Sequence, residues 1–262
     1  MKIIIITQDA PLYLPQFLDG FLFLLGKTPH TAERMVVFPS ISKTGVIGKI
    51  KEYYNYYGLI DFFRLSVIIF KDKLLSLFAG AFSVSRVHSV DNVIRKYKIN
   101  LYKTTSVNSA EFTDYIKNNN IDLIISIACP KIIKKELLNA PKKGCINYHT
   151  ALLPRYRGRQ PLFWALLNGE GEVGISVHEM DENIDNGPII VQYKVPVGGA
   201  DSLNSLYLKT IKIGPQALID ALDYLDKDSP VRIFNDPALS TYNSFPAKSD
   251  VKLFRARGKK FF

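Results

Sequence analysis

The sequence predicts an α/β fold, with a Rossmann-like, mostly parallel sheet that carries helices on both faces and a short C-terminal β appendage. Residues 2–7 form an uninterrupted β-branched run, which is typical of a strand buried on both faces of a parallel sheet. From residue 89 onward, helix-length and strand-length apolar patterns alternate, which indicates right-handed βαβ units. We therefore expect one large domain over residues 1–225 and a small β-hairpin-like appendage over residues 226–262.

Composition and charge limit the class of protein. With 262 residues and 47% hydrophobic content, the chain can bury a full core. Cys129 and Cys145 lie in apolar runs, which predicts buried reduced thiols and a cytoplasmic location. The N-terminal apolar run is too short for a signal peptide, and Lys71, Asp72 and Lys73 interrupt the most apolar region, so no membrane span is expected. The net charge of +10 either attracts an anionic partner or reflects lysines that solvate surface helices.

Periodicity, capping residues and helix breakers predict the remaining elements. Helices are expected at residues 16–25, 90–98, 110–118, 131–138 and 201–225, with another beginning near Gln160-Pro161, and strands at residues 35–38, 101–104, 122–127, 144–149, 173–180 and 188–195. Ser89 and Ser109 are expected to cap the second and third helices, and Gly214-Pro215 to bend or interrupt the last. The basic tail at residues 252–260 is expected to be a solvated strand rather than an RNA clamp.

An aromatic segment at residues 40–87 is the least regular part of the chain. It is rich in tyrosine and phenylalanine, and such rings usually belong to a core or an oligomer surface rather than to a ligand site. Trp164 is expected to pack in the core for the same reason. His178 is expected to be structural, and His30 and His88 belong to no cluster of functional residues.

Two polar side chains close the predicted strand at residues 144–149. Because side chains two apart on a strand point to the same face, Asn147 and His149 are expected to meet there. Asp185 follows in a second, turn-rich loop. An amide donor for an oxyanion, a proton-transfer group and a carboxylate that orients the imidazole together suit acyl transfer.

Other polar residues surround this predicted site. Gln8, Asp9 and Tyr13 follow the first strand, where open α/β sheets bind ligands, although the Gly-x-Gly-x-x-Gly fingerprint of dinucleotide sites is absent there. Three arginines in the loop after His149 either bind an anion or brace the loop against acidic neighbours, and both interpretations remain open: Arg155, Arg157 and Arg159.

Three motifs in this region occur in a specific order. They are Asn147-Tyr-His149, Leu-Leu-Pro-Arg-Tyr-Arg-Gly at residues 152–158, and Met-Asp-Glu-Asn-Ile-Asp-Asn-Gly at residues 180–187. This combination resembles the signature of the folate-dependent formyltransferases, which include methionyl-tRNA, glycinamide ribonucleotide and nucleotide-sugar formyltransferases. The resemblance covers residues 122–192 well and makes residues 1–225 the expected catalytic domain.

The resemblance implies a formyl donor, 10-formyltetrahydrofolate, which leaves as tetrahydrofolate, and no metal. It implies catalytic roles for Asn147, His149 and Asp185, with the general base left open between His149 and Asp185. The residues that it implies for the folate are Ile127, Ala128, Cys129, Pro130, Asp181 and Ile184. The residues expected to bind the acceptor substrate are Gln8, Asp9, Tyr13, Arg157 and Gly158.

The expected acceptor is the amine of a nucleotide-linked amino sugar, such as a dTDP-4-amino-4,6-dideoxyhexose, in the biosynthesis of a surface polysaccharide such as lipopolysaccharide O-antigen. The atypical segment at residues 40–87 and a tail too short for an RNA-binding barrel favour this acceptor. Methionyl-tRNA formylation, which the basic charge favours, and a non-catalytic folate- or nucleotide-binding protein are the alternatives. A homodimer is expected, and binding to nucleic acid is not.

Overall fold

The computed structural model describes residues 1–40, 45–78, 87–227 and 231–262. Residues 41–44 and 79–86 of the aromatic segment lie outside the described residues, as does Pro230.

The architecture is built on a six-stranded central sheet of order β2-β1-β3-β4-β6-β7. The described strands are β1 (Lys2–Asp9), β2 (Thr31–Pro39), β3 (Leu123–Ile127), β4 (Cys145–His149), β5 (Arg157–Gly158), β6 (Glu172–Glu179), β7 (Ile189–Pro196) and β8 (Tyr242–Asn243). The strands from β1 to β4 pair in parallel, whereas β6 is antiparallel to both β4 and β7. A mostly parallel sheet is therefore confirmed. β5 and β8 form a separate two-stranded sheet, which confirms the short C-terminal β appendage.

Helices cover both faces of the central sheet. They are α1 (Leu14–Leu25), α2 (Gly45–Phe78), α3 (Val90–Tyr97), α4 (Ala110–Asn118), α5 (Lys135–Leu138), α6 (Pro161–Leu167), α7 (Leu203–Leu225) and α8 (Lys248–Ala256), with a short 3-10 helix at Pro237–Leu239. In β1, Ile3 and Ile5 point into the core under α1 and α7, while Ile4 and Ile6 point into the core under α4. The sequence-predicted burial of β1 on both faces follows from this alternation.

The predicted helix caps at α3 and α4 are confirmed. The Ser89 hydroxyl accepts a hydrogen bond from the backbone N–H of Asn92 at 3.1 Å. The Ser109 hydroxyl accepts one from the backbone N–H of Phe112 at 3.3 Å. Each cap satisfies a donor that the first helical turn leaves without an intrahelical partner.

A second core consists of aromatic rings and joins α2, α6, α8 and the chain after α8. The Tyr56 ring centroid lies 5.5 Å from that of Phe163 and 5.0 Å from that of Phe261, and Phe163 stacks on Phe254 at 4.6 Å. Tyr56 is 2% exposed, so the expected core role of the aromatic segment holds at this residue. Trp164 packs at the edge of the same core, as expected.

The structure corrects several predicted elements. α5 begins at Lys135, later than the expected residue 131, and residues 101–104 contribute a single bridge from Leu101 to Met35 instead of a strand. α7 continues through Pro215, so the helix is not interrupted there, and the alternative of a bend at Gly214-Pro215 stays a prediction.

The basic tail is also different from the prediction, because α8 replaces the expected solvated strand. Val251 and Phe254, three residues apart on α8, are buried against the aromatic core. Their burial favours a helix there. No helix in the described ranges is both long and apolar enough to cross a bilayer.

Gly214 marks a close approach of α7 to β4 and α1, and it gives a test of this packing. A Cβ added at Gly214 would lie 2.4 Å from the Tyr148 hydroxyl oxygen and 2.7 Å from the Phe17 ring. We expect Gly214→Ala to lower the free energy of unfolding by about 1–3 kcal/mol, as overpacking does. Urea unfolding measures this. Gly171→Ala, where no atom lies within 4 Å of the added Cβ, is the matched control, and equal losses in both variants would contradict the packing argument.

Candidate active site

Asn147, His149 and His178 lie on one face of the sheet at the junction of β4 and β6. Asn147 is directly opposite His178 in this antiparallel pair, so their side chains share a face. His149 is the last residue of β4, two positions after Asn147. The loop after β6 carries Asp185 over the same face. The predicted meeting of Asn147, His149 and Asp185 therefore occurs, with a second histidine added.

The Asn147 amide nitrogen has two partners within the site. Its Nδ2 lies 3.2 Å from Asp185 Oδ1 and 3.2 Å from His178 Nε2. An ionised carboxylate only accepts hydrogen bonds, so the amide group must face Asp185 with its nitrogen. Asp185 therefore fixes the orientation of the Asn147 amide.

His178 belongs to the site, although the sequence indicated a structural role for it. Its Nδ1 lies 2.7 Å from the Glu179 carbonyl oxygen, so Nδ1 carries a hydrogen and Nε2 is free to accept one from Asn147. Its Nε2 also lies 3.6 Å from Asp185 Oδ1. Only the antiparallel register of β6 on β4 places His178 here, and apolar periodicity does not specify that register.

His149 is held by a carbonyl group rather than by the expected carboxylate. Its Nε2 donates to the Tyr156 carbonyl oxygen at 2.9 Å, while Asp185 Oδ2 lies 3.7 Å from Nε2, beyond a hydrogen bond. Nε2 therefore carries a hydrogen, and the lone pair of the neutral imidazole lies on Nδ1. Tyr156 orients the ring, and Asp185 acts on it as a nearby charge.

The pKa of His149 is lowered from its ordinary value. Burial is the largest cause, and it outweighs the opposing attraction of Asp185 and the hydrogen bond to the Tyr156 carbonyl. His149 is accordingly neutral at pH 7, which leaves its Nδ1 able to accept a proton.

Asp185 stays ionised in this buried position. Burial by itself raises the pKa of the carboxyl group, but the positive charge that His149 can carry and the hydrogen bond from the Gly158 N–H together lower it well below the ordinary value. The Gly158 N–H donates to Asp185 Oδ2 at 2.8 Å. Gly158 has a φ of +95°, and a Cβ there would lie 2.3 Å from the Asn243 carbonyl oxygen. Glycine is required at residue 158, and its N–H is part of the site.

Arg157 is buried, and its guanidinium group is committed to two asparagines. Nη1 donates to Asn186 Oδ1 at 2.7 Å and Nη2 to Asn235 Oδ1 at 2.9 Å. This geometry favours bracing of the Asp185 loop, and a contact of Arg157 with substrate stays a prediction. Neighbouring arginines form ion pairs, Arg155 with Glu170 and Arg159 with Glu52.

Asn235 is a second residue that the sequence did not reveal. Its Nδ2 lies 3.0 Å from the Asp185 carbonyl oxygen and 2.9 Å from the Gly187 carbonyl oxygen. It is 3% exposed, and it also accepts from Arg157. Asn235, which follows α7 in the chain, therefore holds both ends of the Asp185 turn. No local sequence signal links these two positions, which are 50 residues apart.

Four of the residues predicted for the folate lie at the end of β3, the strand that pairs with β4. Ile127 ends β3, next to Tyr148 in β4, and Ala128 follows it in the left-handed region with a φ of +53°. Cys129 is partly buried, and burial raises the pKa of its thiol to about 11, so it is not a thiolate. Both cysteines are free, as expected.

The other predicted folate residues differ in exposure. Pro130 is exposed, and Ile184 is 46% exposed. Asp181 accepts hydrogen bonds from the Asn183 N–H at 2.8 Å and from Asn186 Nδ2 at 2.7 Å, so it stiffens the loop. Folate contacts at all six of these residues stay predictions.

The residues predicted for the acceptor begin at the end of β1. Gln8 and Asp9 are the last two residues of that strand. Tyr13 stacks on Tyr207 with ring centroids 4.7 Å apart and donates to Asn204 Oδ1 at 2.7 Å. Tyr13 therefore lies against α7, and its contact with an acceptor stays a prediction.

Comparisons with known proteins identify the family of this chain. The model of the formyl transferase family matches residues 67–222. Methionyl-tRNA formyltransferase of Desulforamulus reducens is 37% identical over 147 residues, which are 56% of this chain and 46% of that protein. The match thus spans about half the length of such relatives. The chain belongs to the formyl transferase family.

Solved structures share the fold. A sugar N-formyltransferase from a Shewanella species has a TM-score of 0.59 at 20% identity, and the likeness covers 98% of this chain and 88% of that one. An N-formyltransferase of Helicobacter canadensis, in complex with folinic acid and dTDP-3-aminofucose, has a TM-score of 0.57 at 18% identity and covers 93% and 71%. At these identities the likeness establishes the α/β fold.

The position of Asn235 generates a stability prediction. Asn235→Ala leaves the Arg157 guanidinium and the carbonyl groups of Asp185 and Gly187 without this buried partner, so we expect a loss of about 2–4 kcal/mol in the free energy of unfolding. Urea unfolding provides the measurement. Asn118→Ala, at an exposed position, should change it by less than about 0.5 kcal/mol. If Asn118→Ala lowered the free energy of unfolding as much as is expected for Asn235→Ala, or if Asn235→Ala did not lower it, Asn235 would not stabilise the Asp185 turn in this way.

The lowered pKa of His149 generates a pH prediction. In the unfolded chain the imidazole takes up a proton as the pH falls through about 6.5, whereas in the folded chain it does so only at lower pH. The unfolded state then binds more protons, so stability decreases as the pH falls below about 6.5. In His149→Gln this decrease should be shallower between about pH 6.5 and 5. Chemical unfolding across that range tests it, with Asn118→Ala expected to keep the wild-type slope.

Proposed function

We propose that the chain transfers a formyl group from 10-formyltetrahydrofolate to the amine of a nucleotide-linked amino sugar. The observation that carries the reaction is the cluster on β4 and its loop, in which Asn147 Nδ2 lies 3.2 Å from Asp185 Oδ1 and His149 Nε2 lies 3.7 Å from Asp185 Oδ2. An ionised carboxylate, an oriented amide and a neutral imidazole are the groups that acyl transfer to an amine uses.

The neighbouring turn fits a folate. Ala128 is exposed, has a small side chain and lies in the left-handed region directly after β3, so a flat ring can approach the backbone there. Ile184 offers an exposed apolar side chain in the Asp185 loop. When bound, 10-formyltetrahydrofolate would supply the formyl carbon that the amine attacks; the bond from that carbon to the folate nitrogen would break, and tetrahydrofolate would leave with the proton that the amine loses.

His149 is the proposed general base. Its Nε2 hydrogen is committed to the Tyr156 carbonyl, so Nδ1 takes the proton that leaves the amine. The resulting imidazolium is stabilised by the charge of Asp185 at 3.7 Å. The Asp185 carboxylate already accepts hydrogen bonds from Asn147 and Gly158 and has a strongly lowered pKa, so it is the poorer proton acceptor of the two.

Asn147 is the proposed donor to the formyl oxygen. Both of its N–H groups have partners before substrate binds, Asp185 and His178. The bond to the neutral His178 is weaker than the bond to a carboxylate, so the N–H that faces His178 is the one released to a developing negative charge.

The choice of a sugar acceptor is supported by the likeness to the Shewanella sugar N-formyltransferase and to the Helicobacter canadensis N-formyltransferase. One of them holds dTDP-3-aminofucose, and their likeness extends over 93% and 98% of this chain. The 37% identity with a methionyl-tRNA formyltransferase favours tRNA as a second candidate. That identity covers 56% of the chain, so it supports the shared reaction more than the acceptor. The intact cluster argues against a non-catalytic binding protein.

A mass-shift assay separates the two acceptors. The full chain is incubated with 10-formyltetrahydrofolate and, in parallel, with dTDP- or UDP-linked amino sugars and with initiator methionyl-tRNA. A gain of one formyl group on an amino sugar, with none on the tRNA, is the expected result. Formylation of the tRNA alone would overturn the sugar proposal, and no transfer to either would overturn the proposed reaction.

Substitution of the cluster tests the assignment of roles. We expect Asn147→Ala to lower kcat by about 10²–10³, because it removes one oxyanion donor. His149→Ala should lower kcat by about 10²–10⁴, the usual range for a lost general base, and should abolish the acidic limb of the pH profile. Asn118→Ala is the control for both and should keep wild-type kcat. Wild-type turnover in Asn147→Ala and His149→Ala would refute this active site.

Several finer expectations remain part of this proposal. They are the homodimer, the cytoplasmic location and the role in O-antigen synthesis. Sedimentation of the purified chain tests the first.

A further inference from the structure

α2 changes direction at Gly58, and beyond it the helix carries a row of apolar side chains that point to solvent. This row, the outer stripe, consists of Ile60, Phe63, Val67, Phe70 and Leu74. Each is between 46% and 81% exposed. Their alternating spacing of three and four residues aligns them along one side of a helix. A continuous apolar row of this length on a protein surface is typical of an interaction site.

The opposite side of the same helix is fixed to the body of the protein. Leu65 is 3% exposed in the interior. Asp61 Oδ2 accepts from Arg255 at 2.7 Å, and Asp72 Oδ1 lies 2.8 Å from His88 Nδ1. Both acidic side chains of this half of α2 therefore face inward and are paired. The outer stripe cannot turn into the core without breaking these contacts.

The side chains that flank the outer stripe are basic. Arg64, Lys71 and Lys73 are exposed, and at ~100° per residue they lie within about 60–100° of the centre of the stripe. Among the described residues, none of the three has a carboxylate within salt-bridge distance, and Arg64 packs over the Phe262 ring at 5.0 Å. Since Asp61 and Asp72 point inward, the outward side of this helix carries positive charge only.

We propose that this side of α2 binds the surface of an anionic lipid membrane. An apolar stripe rich in phenylalanine, bordered by lysine and arginine, is the pattern of a helix that lies in the interface plane. The stripe enters the boundary between headgroups and acyl chains, and the flanking cations meet the lipid phosphates. This surface is separate from the catalytic cluster, and the inference does not rest on the proposed formyl acceptor.

The charges favour lipid over a second copy of this chain. The three-four spacing of the outer stripe would also suit a helix pair packed like a coiled coil. In such a pair the flanking positions of the two copies face each other, and here they hold Arg64, Lys71 and Lys73 with no acidic residue. Two copies would repel each other along the seam, whereas an anionic bilayer attracts the same three cations.

Vesicle flotation of the full chain tests the inference. Vesicles of phosphatidylcholine with about one quarter phosphatidylglycerol are compared with vesicles of phosphatidylcholine alone, at low salt and at about 0.5 M NaCl. We expect partition into the anionic vesicles, at least about tenfold stronger than into the neutral ones. High salt should weaken it, because it screens the lysine and arginine charges.

Paired substitutions locate the binding surface. Phe63→Gln with Phe70→Gln should reduce partition by at least about tenfold, because two phenylalanine rings no longer enter the apolar layer. The double variant Lys71→Gln with Lys73→Gln should partition about tenfold less strongly into anionic vesicles than the wild type. Its partition into neutral vesicles should be unchanged. Phe23→Gln, at a 56% exposed position on α1, is the matched apolar control and should bind like wild type.

Three outcomes would overturn the inference. The first is a wild-type chain that does not float with anionic vesicles. The second is wild-type binding by Phe63→Gln with Phe70→Gln. The third is an oligomeric state, measured by light scattering, that differs between the wild-type chain and either double variant. Such a difference would identify the outer stripe as a contact between copies of the chain. Near-UV circular dichroism verifies folding. If the phenylalanine pair fails to fold, the exposed lysine pair decides, and wild-type affinity there counts against lipid binding.

Discussion

The active cluster depends on one buried negative charge, the carboxylate of Asp185. A carboxylate in such a position is stable only when hydrogen-bond donors replace the water that it has lost. Gly158 and Asn147 provide them, at 2.8 and 3.2 Å. Each donor is positioned by another constraint, Gly158 by the close passage of Asn243 and Asn147 by its strand register. The fold therefore positions the two donors, and the donors keep the Asp185 carboxylate ionised.

The two histidines of the cluster differ in which ring nitrogen is bonded to the backbone. His149 donates to the Tyr156 carbonyl and His178 to the Glu179 carbonyl, so each ring has one nitrogen committed to the backbone. The committed nitrogen is Nε2 in His149 and Nδ1 in His178. As a result the two free lone pairs lie on different ring atoms, and only that of His178 accepts from Asn147. Two residues of one type thus acquire distinct roles through their backbone partners.

Much of the fold could be predicted because it rests on local patterns. Residues close together in the sequence specify several of these features. They are the isoleucine run of β1, the helix caps at Ser89 and Ser109, and the two-residue spacing of Asn147 and His149. The predicted basic strand failed for a related reason. Its charges were visible in the sequence, but the aromatic core that buries Phe254 and favours a helix was not.

The parts of the site that could not be predicted depend on contacts between distant segments. His178 reaches the cluster through an antiparallel register, and Asn235 reaches it across 50 residues. No periodicity encodes either contact. The sequence suggested that the guanidinium group of Arg157 could bind an anion. Its hydrogen bonds to Asn186 and Asn235 depend on tertiary packing, which the sequence pattern does not reveal.

The hydrogen bonds from Asn235 to the Asp185 turn affect when the catalytic cluster can form during synthesis of the chain. On a ribosome, β4, β6 and the Asp185 loop emerge before residue 235 does, so the turn initially lacks the side chain that ties its carbonyl groups together. Contacts of this long range form late because they close large loops. The nascent chain would therefore carry a loosely arranged cluster until its later segment had been synthesised, and maturation of the site would coincide with completion of the fold.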